Sequence, residues 1–86
     1  MTKEISNLID VAIDVQKYFG FNKFSLHVLD GFSYVDFIVY EVYDLPALLN
    51  LCSGHDVVVY ARDEHLVIKI SITERYYFLG SSIKKN

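Results

Sequence analysis

The chain has 86 residues and a formal net charge of −3, from eleven Asp and Glu against eight Lys and Arg; that is one small domain, too acidic for a free-standing nucleic-acid binder and too mildly acidic for a nucleic-acid mimic. Apolar residues make up 52% of it and charged residues 22%, yet a membrane span needs about 20 consecutive apolar residues, and the longest charge-free run, Leu45 to His55, is broken by Pro46, Asn50, Ser53 and Gly54. The single cysteine leaves no disulfide framework and makes a reducing cytoplasm the expected compartment.

The N-terminal segment predicts a helix over 3–19, capped by Thr2 and stopped by Gly20. Its Glu4, Asp10 and Asp14 do not suit a signal peptide. Ile5, Leu8, Ile9, Val11, Ala12, Ile13, Val15, Tyr18 and Phe19 fill an apolar arc of roughly 220°, about twice the stripe a surface helix needs. One sheet does not cover so wide an arc. Either a second internal element covers the remainder, or Val11, Val15 and Tyr18 form a dimer interface with a second copy.

Residues 24–41 then read as a hairpin about Asp30-Gly31, a sequence suited to a type I′ turn. That turn sets Leu29 against Phe32, Val28 against Ser33, His27 against Tyr34, Leu26 against Val35, Ser25 against Asp36 and Phe24 against Phe37. Alternation gives one face to Phe24, Leu26, Val28, Val35, Phe37 and Val39, the expected core. The other face collects His27, Leu29, Phe32, Tyr34, Asp36, Ile38 and Tyr40, half apolar and rich in aromatics.

Asp44 and Pro46 begin a short helix near 45–52, with Gly54 after its last apolar position. A second hairpin follows, turning near Arg62 to His65. Ala61 against Leu66 places Val57, Val59, Ala61, Leu66, Ile68, Ile70 and Ile72 on one face. Val58, Tyr60, Arg62, His65, Val67, Lys69 and Ser71 fall on a mostly wet one. Residues 76–79 offer a further strand or an extension of the fourth. The expected organisation is a single α+β domain over 1–80, with a polar tail at 81–86. Its two helices pack on one face of an antiparallel sheet of four or five strands.

Chemistry is sparse. Cys52, His55 and Asp56 form the one cluster with a catalytic or metal-binding flavour. A structural zinc site wants four ligands, and a cysteine at a helix C-terminus has its thiolate disfavoured by the dipole. Cys52 is therefore read as a core residue. Asp63-Glu64-His65 sits at a turn tip, where carboxylates are solvated. Asp36 lies diagonal to His27, but neither a nucleophile nor a pocket accompanies them. Arg75, Tyr76, Tyr77 and Phe78 with Lys84 and Lys85 could stack single-stranded bases, though strand packing with a charged tail accounts for them more simply. The sequence contains no glycine-rich phosphate loop, GxSxG or HExxH.

The expectation is a non-enzymatic protein–protein interaction module without catalytic residues, cofactor or metal, self-associating as a homodimer. It would bind another protein through Tyr34, Asp36, Ile38, Tyr40 and His27. Seven tyrosines and no tryptophan suit such a surface, since Tyr buries much area at modest entropic cost. Chains of this type are common among immunity proteins, antitoxin-like inhibitors and phage or mobile-element accessory proteins, although no motif ties the sequence to one of them. The alternative is a dimeric nucleic-acid-associated regulator using the Lys and Arg of the C-terminal third.

Overall fold

A 17-residue helix, α1 (Lys3–Phe19), is followed by a hairpin of β1 (Ser25–Leu29) and β2 (Phe32–Val39). A short helix, α2 (Leu45–Leu51), then leads into a second hairpin of β3 (His55–Arg62) and β4 (His65–Ile72). These elements lie within residues 2–72, the part of the chain that the structure, a computed structural model, describes. The expected strand at 76–79, the tail at 81–86 and the basic-aromatic stretch from Arg75 onward fall outside it.

Cap residues set both ends of α1 and the start of α2. The Thr2 Oγ1 accepts the Ile5 N–H at 3.2 Å, satisfying one of the orphan donors of the first turn. Gly20, at φ 71, donates its N–H to the Gln16 carbonyl, a left-handed stop that glycine enters without steric cost. Asp44 caps α2 by accepting the Ala47 N–H through Oδ1 at 3.3 Å, with Pro46 in the first turn.

The four strands form an antiparallel sheet in the order β1-β2-β4-β3, so β2 and β4 are its inner strands. Within the first hairpin the register pairs Leu29 with Phe32, Val28 with Ser33, His27 with Tyr34, Leu26 with Val35 and Ser25 with Asp36, as expected. Ala61 pairs with Leu66 in the second hairpin, also as expected. The first turn is not type I′, which requires φ > 0 at both central residues. Positive φ occurs at Gly31 (φ 78) and not at Asp30.

The fold is α+β, with both helices on one side of the sheet. α1 lies on β2 and β4, and α2 packs against α1. The core between the layers is built from Leu8, Ala12, Val15 and Phe19 of α1, Leu48 and Cys52 from the second helical segment, and Val35, Phe37, Val39, Ile68 and Ile70 of the inner strands.

The helix-facing side is not core across its full width. Phe24 and Val57 pack against the core, but Leu26, Val28 and Val59 remain exposed. A helix about 10 Å across covers two strands spaced at roughly 4.8 Å, which leaves the two edge strands largely uncovered. Val15, expected at a dimer interface, is wholly enclosed in this core, and Val11 packs against it. The wide apolar arc of α1 is answered from within the chain, by the sheet and by α2. Of the three interface candidates Tyr18 alone is exposed, and its hydroxyl is already engaged, donating to Asp44 Oδ2 at 2.9 Å.

Candidate functional site

The side of the sheet away from the helices carries the expected site residues, brought together by alternation within β1 and β2 and by the β2–β4 pairing. Its cross-strand rows can be followed from the register. His27 lies beside Tyr34, then Ser71 and Asp56; Asp36 lies beside Lys69 and Val58; Ile38 lies beside Val67 and Tyr60.

The centre of this face is polar and ordered by contacts among side chains. The His27 ring stacks on Tyr34 with centroids 4.4 Å apart, and its Nε2 lies 3.4 Å from Asp36 Oδ2. That nitrogen is shielded from solvent and makes no hydrogen bond, so the pairing with Asp36 becomes ionic only when the imidazole is protonated. Lys69 is the direct cross-strand partner of Asp36, yet its ammonium lies over the Tyr34 ring, 4.3 Å from the centroid, and 5.2 Å from that of Phe32. Phe32, Tyr34, His27, Asp36 and Lys69 thus form one aromatic and charged cluster spanning three strands.

The lower end of the face is apolar. Ile38 is 53% exposed and Tyr40, which packs against His65 with ring centroids 4.9 Å apart, is 81% exposed. Tyr60 and Val58 on β3 extend the apolar area toward the sheet edge. The face expected to be mostly wet on β4 is not so: Val67 is 1% exposed, between Ile38 and Tyr60, and Ser71 is buried as well. An inner strand is shielded from both sides by its neighbours, here by larger side chains.

The five expected partner-binding residues therefore share one surface, but their neighbours Lys69, His65 and Tyr60 were not among them. Lys69 owes its place to the pairing of β2 with β4. Nothing in either hairpin's own sequence specifies which strands of the two hairpins meet.

The remaining chemical candidates are dispersed. Cys52 is buried in the core, and burial pushes its thiol up to about 11, which suppresses the thiolate that nucleophilic or metal chemistry needs. His55 turns its Nδ1 to within 3.4 Å of the Ser53 carbonyl. Among the described residues, no three His, Cys, Asp or Glu side chains gather around a point that could hold a metal ion. Asp63 and Glu64 are the two exposed residues of the β3–β4 turn. No described helix is long and apolar enough to cross a membrane. No family profile, curated protein or solved structure matches the chain.

Proposed function

We propose that this chain is a non-enzymatic binding module that engages another protein through the helix-free face of its sheet, in the manner of an inhibitor or immunity-type protein. The observation that carries this reading is the juxtaposition of exposed Ile38 and Tyr40 with the ordered His27–Tyr34–Asp36–Lys69 cluster. Apolar and aromatic side chains at the middle of an interface usually dominate its energy, while fixed charges beside them set orientation and reject wrong partners. Tyr34 and Lys69 are already held by their neighbours, so they lose less side-chain freedom on binding than free surface residues would.

Support also comes from how the charged pair is held. The His27–Asp36 pair is packed against the Tyr34 ring, on which the Lys69 ammonium also rests, an arrangement that fixes a charge pattern for recognition.

The test compares proteins retained from native cell extract by the wild type and by Ile38→Ala/Tyr40→Ala. A partner held by the first and lost by the second is the expected result. Equal retention by both, or retention of nucleic acid in place of protein, would overturn the reading.

A further inference from the structure

Among the described residues, β3 is an edge strand without proline, bulge or inward-pointing charge. It pairs with β4 without a bulge from His55 to Arg62, and no described strand lies on its other side. Exposed edges are normally blunted by Pro, by inward charges, by bulges or by shortness. β3 has none of these: it runs for 8 residues, and its centre reads Val57-Val58-Val59-Tyr60-Ala61. Val58 is 52% exposed, Val59 37% and Tyr60 42%, so apolar surface is open on both faces as well as along the edge.

The backbone parity of this edge is fixed by the turn. Arg62 and His65 close the two-residue loop and exchange hydrogen bonds, as do Tyr60, Val58 and Asp56 with their own partners on β4. The N–H and C=O groups of Val57, Val59 and Ala61 therefore point outward. These three residues stand in a row centred on Val59.

The geometry points to a second copy of this chain as the occupant of that edge, joined by antiparallel β3–β3 pairing about a two-fold axis at Val59. In that register Val59 faces Val59, Val57 faces Ala61, and Val58 faces Tyr60. Asp56 of one copy stands opposite Arg62 of the other, at both ends of the seam. It is the one self-pairing that opposes these unlike charges, and opposite charges across a strand pair stabilise whereas like charges destabilise. All three outward-facing residues find backbone partners at once. Because the axis runs perpendicular to the sheet, the result is one continuous eight-stranded sheet with both helix layers on the same side. The two helix-free faces then lie side by side, presenting two copies of the site.

The other edge suits this less well. β1 spans 5 residues. By the same parity, with Leu29 and Phe32 closing their turn, it turns only Leu26 and Val28 outward. Its own end residues, Ser25 and Leu29, are uncharged and fix no register.

Sedimentation equilibrium of the full chain over rising concentration tests the proposal without reference to any other partner. The wild type should approach twice 9.9 kDa. Asp56→Arg and Arg62→Asp should each weaken dimerisation about tenfold, because each turns two attractive cross-strand pairs into two repulsive ones. The double exchange, Asp56→Arg with Arg62→Asp, should recover to within about threefold of the wild type, since the two pairs re-form with the signs reversed. Val59→Pro removes one outward donor and none directed at β4, so it should give a monomer with an unchanged circular dichroism spectrum. A 9.9 kDa species at every concentration, single variants that dimerise like the wild type, or a double exchange that fails to recover would each overturn the proposal.

Discussion

Tyr18 and Asp44 join the end of α1 to the start of α2. The phenol donates to Asp44 Oδ2 at 2.9 Å, while Oδ1 of the same carboxylate accepts the Ala47 N–H at 3.3 Å. Asp44 adopts a left-handed backbone, φ 58 and ψ 53, which Asp and Asn tolerate better than other non-glycine residues. One side chain thus sets the chain direction, begins a helix and ties that helix to its neighbour.

Asp44→Ala should therefore cost about 2 kcal/mol, from the lost cap and the unfavourable backbone together. Asp44→Asn keeps both features and should cost less than about 0.5 kcal/mol. Urea unfolding of the two variants separates these outcomes. Equal losses would mean that the cap geometry is not what holds α2.

The two shifted acids place a stability loss on the alkaline side. The hydrogen bond to Asp44 and that carboxylate's charge raise the Tyr18 phenol above 10.0, and burial raises the Cys52 thiol from 9.0 to about 11. Both groups ionise more readily in the unfolded chain. Their contributions are intact below the unfolded values and are lost as pH rises through the folded ones. Stability should hold up to pH 9 and decline between 9 and 11 as the unfolded thiol ionises first. Cys52→Ala should flatten that decline, at a cost near 1 kcal/mol at neutral pH for a small buried side chain. Rapid alkylation of Cys52 in the folded protein at pH 8 would contradict its enclosure.

The uneven cover of the helix-facing side predicts two contrasting substitutions. Phe37→Ala, at the buried centre, should cost roughly 3–5 kcal/mol. Val28→Ala, on the same side but on the uncovered edge strand, should stay within about 0.5 kcal/mol. Comparable costs would mean that β1 is covered after all.

Much of the architecture could be read from the sequence because local chemistry decides it. Thr2, Gly20 and Asp44 bound the helices, and two-residue loops leave each hairpin a single register. The order of strands depends on how the two hairpins meet, which no local signal encodes, so the cluster of Lys69 with Tyr34 and Phe32 was hidden. The extent of helical cover was hidden too, and with it the exposure of Leu26 and Val28. Val15 was misplaced for a related reason. It lies further inside the apolar arc of α1 than Val11 or Tyr18, and the inner part of such an arc is what the sheet claims first. The residues of the helix-free face were legible because alternation alone puts Tyr34, Asp36, Ile38 and Tyr40 on one side.

The most direct measurement is calorimetric titration of a captured protein partner against three forms of the chain: the wild type, Ile38→Ala/Tyr40→Ala on the helix-free face, and Leu45→Ala/Leu49→Ala on exposed positions of α2. Binding through the helix-free face predicts that the first double variant loses at least ~2 kcal/mol of affinity, the hot-spot threshold, while remaining folded with an unchanged circular dichroism spectrum. The α2 variant should bind like the wild type. Undiminished binding by Ile38→Ala/Tyr40→Ala, with binding lost instead in the α2 variant, would place the recognition surface on the helical layer and contradict the assignment.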